Sequence, residues 1–302
     1  MLRAGYGIAM LADEIAEGRF EDNKSKCLTW KTTDGSPALI SPAGIAKDAI
    51  IIRADNVCMA YESETLDASD LPCIAPPFPR IVIESSTSPA QSLLQRWGLV
   101  INSQELDSLA WEELRHIFVD QNIEVTPRWF LFGWFFIHVR GERLPRLQCI
   151  TESLADGRGV PLFRGICDWF GEQEKAAAWP WMSWFINLAH LTVSFMHCKN
   201  VVQRVVAPPP KLSKRHKERH GRPLFSYRVL EIEPMKQVLR TEGRSEEVGL
   251  AKALHICRGH FKDYRERGLF GRNKGLYWWD QHARGSIEAG VVGKDYSVKA
   301  PT

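Results

Sequence analysis

The sequence predicts an α+β protein in which an aromatic-rich helical body is followed by a basic, β-containing C-terminal region. Three observations carry this reading. Long Trp- and Phe-rich apolar segments lie between residues 129 and 197, a proline-led basic stretch interrupts the chain at 207–223, and aromatic segments of strand length follow it. The chain then divides into a mixed body with buried aromatic helices over 1–206, a basic linker or loop over 207–223, and a hairpin-containing region over 224–302.

With 302 residues, 44% of them hydrophobic and 25% charged, the composition is that of a folded chain with room for one large or two modest domains. Seven scattered cysteines show no C-x-x-C spacing and no secretory leader precedes them, which predicts reduced thiols in the cytoplasm.

Taken in order, "MLRAGYGIAMLADEIAEGRF" predicts an amphipathic surface helix, because Asp13, Glu14 and Glu17 interrupt its apolar run. Prolines 72, 76, 77 and 79 forbid helix, so Arg80 to Glu84 reads as a strand entered from an extended segment. In "NSQELDSLAWEELRHIFVDQN", Asn102 can cap a helix with Glu105 three residues on, and Leu106, Leu109, Ala110, Leu114, Ile117 and Phe118 recur at helical spacing. Trp129 to Val139 and Trp181 to His197 supply the core. The first is too short to span a membrane, and Ala176 to Met196 carries Pro180, Ser183, Asn187 and His190, which predicts a buried core helix and no membrane partner. Beyond the basic stretch, "PLFSYRVLEIEP" reads as a strand and "SEEVGLAKAL" as a short helix.

Charge is distributed unevenly: the successive thirds carry −4, −3 and +10 within a net charge of only +3. A positive field concentrated at one end suits a polyanionic partner, either nucleic acid or an acidic protein or nucleoprotein surface; a basic face that serves only solubility is the alternative. In "APPPKLSKRHKERHGRP" three prolines enforce an extended lead-in. Lys211, Lys214, Arg215, Lys217, Arg219 and Arg222 follow without apolar periodicity, as in a mobile phosphate-binding loop.

Leu254 to Tyr264 and Gly275 to Arg284 have strand length and flank a glycine-containing basic loop, which predicts a hairpin. If its faces pair favourably, Arg258, His260 and His282 converge. One histidine would then serve as general base, the other as general acid, and the guanidinium would hold charge growing on phosphorus, all without a metal. The competing reading pairs Arg258 with Asp280 or Asp263 and leaves the histidines to fill polar positions. His255, Cys257, His260 and His282 are zinc-ligand types, but H-x-C-x-x-H matches no standard finger and alternation divides them between two faces, so no metal or other cofactor is expected. Binding without chemistry is the third reading: Lys262, Arg272, Lys274 and Arg284 would neutralise phosphates while rings such as Trp278 stack bases. Walker loops, G-x-S-x-G and H-E-x-x-H do not occur.

The run from "SFMHCKNV" through "APPPKLSKRHKERHGRPLFSYRVLEI" to "HICRGHFKDY", "LFGRNKGLYWW" and "HARG" resembles a group of proteins encoded by bacteriophages, prophages and plasmids. The likeness covers about the last third of the chain, with a fainter echo at Pro76 to Glu84. Their pattern H-x-x-R-G-H-[FW], followed by an aromatic strand ending in R-G, matches His255, Arg258, Gly259, His260, Phe261, Arg284 and Gly285. The resemblance implies a mobile-element setting and assigns no reaction. The expected role is thus an accessory protein that engages nucleic acid or a nucleoprotein. The two rivals are a metal-independent nuclease-like enzyme and a non-catalytic antagonist of a host defence complex.

Overall fold

The computed structural model describes residues 10–21, 29–31, 37–39, 41–62, 71, 75–86, 93–108, 110, 112, 127–155, 161–166, 172–235, 238, 253–257, 259–279, 282–284 and 286–291. In chain order the elements are α1 (Met10–Ala16), β1 (Thr29–Lys31), β2 (Pro37–Leu39), α2 (Pro42–Asp48), β3 (Ile50–Arg53), α3 (Asp55–Glu62), β4 (Arg80–Ser85), β5 (Leu94–Glu105), β6 (Trp129–Val139) and β7 (Arg146–Ala155). They continue as β8 (Pro161–Ile166), α4 (Glu172–Met196), β9 (Val201–Val206), α5 (Pro210–His220), β10 (Tyr227–Ile232), β11 (Ala253–Cys257), β12 (His260–Asp263), β13 (Leu276–Trp279), β14 (His282–Arg284) and β15 (Ser286–Val291). Two compact units result: residues 1–197 with 202–231, and residues 198–201 with 232–302.

The body is a sheet, which overturns the expected aromatic-rich helical body. Eight strands run in the order β8-β7-β6-β5-β4-β3-β10-β9. β4 through β8 pair antiparallel, while β3 lies parallel to both β4 and β10. The apolar run at 129–139 is the central strand β6, in which every residue from Phe130 to His138 is buried. Phe130, Phe132, Trp134 and Phe136 join Leu11, Ile15 and Ile45 in one core cluster. On the other face Phe135 meets Phe185 of α4 at 5.5 Å between ring centroids. With both faces covered the strand has no polar alternation, and periodicity cannot separate it from a buried helix.

The helix expected from Asn102 starts later. Asn102 pairs with both Arg80 and Phe132 within the sheet, so the segment through Glu105 ends β5. Asp107 Oδ1 instead accepts the Ala110 N–H at 2.8 Å, the bond of a helix N-cap; residues 113–126 lie outside the described residues. The strand read at Arg80 to Glu84 is present as β4, and the second apolar run forms the expected core helix, α4. Among the described residues, no helix is long and apolar enough to cross a membrane. Cys58, Cys149 and Cys198 are buried cysteines outside any disulfide. The "SEEVGLAKAL" helix falls almost wholly outside the described residues; Ala253 and Leu254 belong to β11.

α1 is packed into the body instead of lying on its surface: Leu11, Ala12, Ile15 and Ala16 are at most 1% exposed. Its seat is Gly98 on β5. A Cβ there would stand 2.6 Å from Leu11 Cδ2 and 3.2 Å from the Ile83 carbonyl oxygen, so only glycine admits the helix this closely. The Ala12 N–H donates to Glu84 Oε2 at 2.9 Å, tying the helix to β4. Burial pushes the Glu84 carboxyl above the usual range despite Arg53, whose Nη1 lies 3.4 Å away. Burial acts in the same direction on Asp55, but there Arg53 and hydrogen bonds from Ser86 outweigh it and hold the carboxyl below its ordinary value.

In the second unit β12 and β13 form the predicted hairpin, with Phe261 opposite Trp278 and Lys262 opposite Tyr277. β11 pairs antiparallel with β14 and parallel with β15. Asn200 secures this unit: its Nδ2 donates to the carbonyls of Glu233 (2.9 Å) and Trp278 (2.8 Å), while its Oδ1 accepts the Trp278 N–H at 2.9 Å.

Gly98→Ala tests the seat of α1. The added methyl overpacks a fully occupied contact, so stability measured by urea unfolding falls by about 1–3 kcal/mol.

Candidate nucleic-acid interface

The basic stretch at 207–223 holds a helix, Pro210–His220, where the sequence predicts a linker or loop. α5 begins at Pro210, where a missing N–H is harmless and the fixed φ suits the first turn. The Pro209 carbonyl accepts from Leu212 and Ser213 N–H, both at 3.0 Å. It ends at Gly221, whose left-handed φ of 74° closes the last turn through a bond to the Lys217 carbonyl. Lys217, Arg219 and His220 in that turn complement the negative end of the helix dipole.

Successive residues turn by about 100°, so Leu212, His216 and His220 share one face and Lys211, Lys214, Arg215 and Lys217 spread over the opposite one with Glu218. The first face meets the body. Leu212 packs against the core cluster that contains Leu11 and Ile15. His216 Nδ1–H donates to the Arg222 carbonyl at 2.9 Å, and its Nε2 lies 3.1 Å from Asp13 Oδ2 and 3.5 Å from Glu17 Oε1. His220 Nδ1 is 3.1 Å from the same Glu17 oxygen. Arg222 Nη2 donates to Asp13 Oδ1 at 2.7 Å and to the Asp13 carbonyl at 2.9 Å, while its guanidinium sits 4.4 Å from the centre of the Phe225 ring. Arg222 is thereby a clamp within the fold and not a free phosphate ligand. Between α1 and α5 lies a cleft of about 340 Å³ bordered by Asp13, Arg19, Arg215, His216, Arg219 and His220.

The opposite face is open. Lys211, Lys214, Arg215, Lys217 and Arg219 are all exposed, no residue of α5 is buried, and among the described residues none of the five forms an ion pair. By contrast, Arg204 on β9 is paired with Glu231 and Arg228 hydrogen-bonds Gln203 at 2.8 Å. Sequence reasoning found the cations of α5 but missed their order, and it missed Asp13, Glu17, His216 and His220 as partners. The available signals were Pro210, Gly221 and the i, i+4, i+8 recurrence of Leu212, His216 and His220.

Of the expected hairpin cluster, His260 is described with its side chain and His282 by its backbone. The register sets His260 opposite Trp279 in the β12–β13 ladder and His282 opposite Cys257 in the separate β11–β14 ladder. Arg258 lies outside the described residues, as do the side chains of His282 and Arg284. Trp278 is 2% exposed and meets Phe261 edge-on at 4.8 Å, so its ring is core and cannot serve as a platform for bases. Lys262 Nζ lies 4.2 Å from the centre of the Trp279 ring. Arg272 and Lys274 are exposed in the connecting loop.

Asp13→Ala removes the carboxylate that Arg222 and His216 face in a largely dry site. The expected loss is about 3 kcal/mol, the order for breaking a buried ion pair by deleting one partner. In a double-mutant cycle with Arg222→Ala, measured by urea unfolding, the two losses are well short of additive. No protein-family model, curated protein or solved structure matches this chain in the comparisons made.

Proposed function

We propose that the protein engages nucleic acid through the exposed face of α5, with Lys211, Lys214, Arg215 and Lys217 contacting phosphates and Arg219 at the margin. The observation that supports this reading is a capped helix carrying five exposed cations that form no ion pair among the described residues, while its inner face is held by Asp13 and Glu17. A helix of 11 residues is about 16 Å long, enough to meet several phosphates of one strand or to lie against a groove. Lysines that reach phosphate oxygens fix position without reading bases, so affinity varies little with sequence. The likeness of the C-terminal third to proteins of phages, prophages and plasmids is in keeping with a nucleic-acid-directed accessory role. Arg272 and Lys274 contribute at most a secondary contact.

Binding of the full chain to a labelled duplex and to a single strand, titrated across salt concentrations, tests the proposal. Each phosphate contact releases counterions, so replacing Lys211, Lys214, Arg215 and Lys217 with alanine lowers the slope of log affinity against log salt by up to ~3–4 for a duplex. The four side chains are exposed and alanine favours helix, so the melting temperature stays near that of the wild type. A wild type that binds neither nucleic acid at low salt, or a variant with an unchanged slope, contradicts the proposal.

A further inference from the structure

We infer that His216, His220 and Glu17 form a three-ligand binding site for a zinc-class divalent transition-metal ion. Among the described residues this trio is the only group of three such side chains whose ligand atoms all lie within 4.8 Å of one another. The two histidines stand at i and i+4 on one face of α5, and Glu17 comes from the turn that ends α1. In tetrahedral zinc sites, bonds of about 2.0–2.1 Å put neighbouring ligand atoms ~3.3–3.4 Å apart. The present separations are 3.5 Å for His216 Nε2 to Glu17 Oε1 and 3.1 Å for His220 Nδ1 to Glu17 Oε1.

Two further features point to an ion. The Arg222 carbonyl can only accept, so the 2.9 Å bond places the His216 proton on Nδ1. In the neutral ring Nε2 then carries a lone pair directed at two carboxylates, an arrangement that requires either a second proton on the ring or a cation between the groups. A backbone carbonyl that fixes the tautomer of a ligating imidazole is a regular feature of metal sites. Glu17 divides its oxygens in a compatible way: Oε2 pairs with Arg19 Nε at 2.8 Å, whereas buried Oε1 receives no hydrogen bond from the described residues even though three nitrogens lie within 3.5 Å.

The chemistry of the set selects the metal. Arg19 and Arg222 already balance the two carboxylates, so affinity has to come from ligation and not from net charge. Hard ions such as Mg²⁺ and Ca²⁺, which seek oxygen ligands, are disfavoured, and two imidazole nitrogens with a carboxylate suit zinc or its neighbours. Such an ion would pin α5 to α1 at the end opposite Pro210.

The test is titration of the full-length chain with Zn²⁺, and separately with Co²⁺ as a spectroscopic substitute, under reducing conditions without nucleic acid. One equivalent binds the wild type, and the Co²⁺ complex shows d–d absorption without a thiolate charge-transfer band. His220→Ala and Glu17→Gln, which remove ligands while the Asp13–Arg222 pair and the packing of Leu212 still hold α5, each weaken binding about 100-fold or more, since loss of even an outer-shell partner costs 10- to 100-fold. Absence of saturable binding, binding unaltered in both variants, or a sulfur charge-transfer band overturns the assignment. A chain that binds Zn²⁺ as described but no nucleic acid refutes only the proposed function.

Discussion

Everything distinctive about the basic helix depends on one carboxylate, Asp13, which is 7% exposed and receives the Arg222 guanidinium at 2.7 Å beside the His216 ring. A helix of 11 residues with five exposed cations is marginal alone, because like charges repel and nucleation is costly. Asp13 supplies a fixed opposite charge where solvent is scarce, and Glu17 adds a second one turn later. Their placement descends from the sheet: Gly98 on β5 leaves the notch that Leu11 fills, and Glu84 on β4 holds the Ala12 amide. The path therefore runs from central strands through α1 to α5. Cations on the far side of α5 stay available because the inner face takes up the acidic partners.

The second unit follows another logic. Its aromatic hairpin is mostly its own core: Tyr277 packs with Met235 and Leu269, and Trp278 is held along its backbone by Asn200. These rings look from sequence like a stacking surface since tryptophan and tyrosine serve both purposes, and only burial distinguishes them. Loop cations Arg272 and Lys274 remain exposed, yet Arg265 is spent on Asp263, whose carboxyl that contact holds below its ordinary value. A basic third of the chain thus resolves into one open cationic helix and a hairpin whose charges are partly committed.

Where the sequence was legible, local chemistry and tertiary burial agreed. Prolines 76, 77 and 79 forced the extended entry to β4, and the length of the second apolar run specified α4. The strand β6 was illegible as a strand because it is covered on both faces, and the apparent helix start at Asn102 was a strand end whose partners lie elsewhere in the chain. The basic stretch was read correctly for charge and incorrectly for order. Its anchoring face is polar, with two histidines in place of leucines, so a search for apolar periodicity passed over a helix that ion pairs hold in place. Asp13 and Glu17 lie about 200 residues away from His216, and no local pattern links them.

Lysine-reactivity footprinting with an acylating reagent, read out by mass spectrometry with and without bound nucleic acid, tests most directly whether α5 is the contact surface. The expected result is that Lys211, Lys214 and Lys217 become protected together on binding, while Lys262 and Lys274 keep their rates. Protection of Lys262 and Lys274 with unchanged reactivity along α5 would contradict it and transfer the interface to the hairpin.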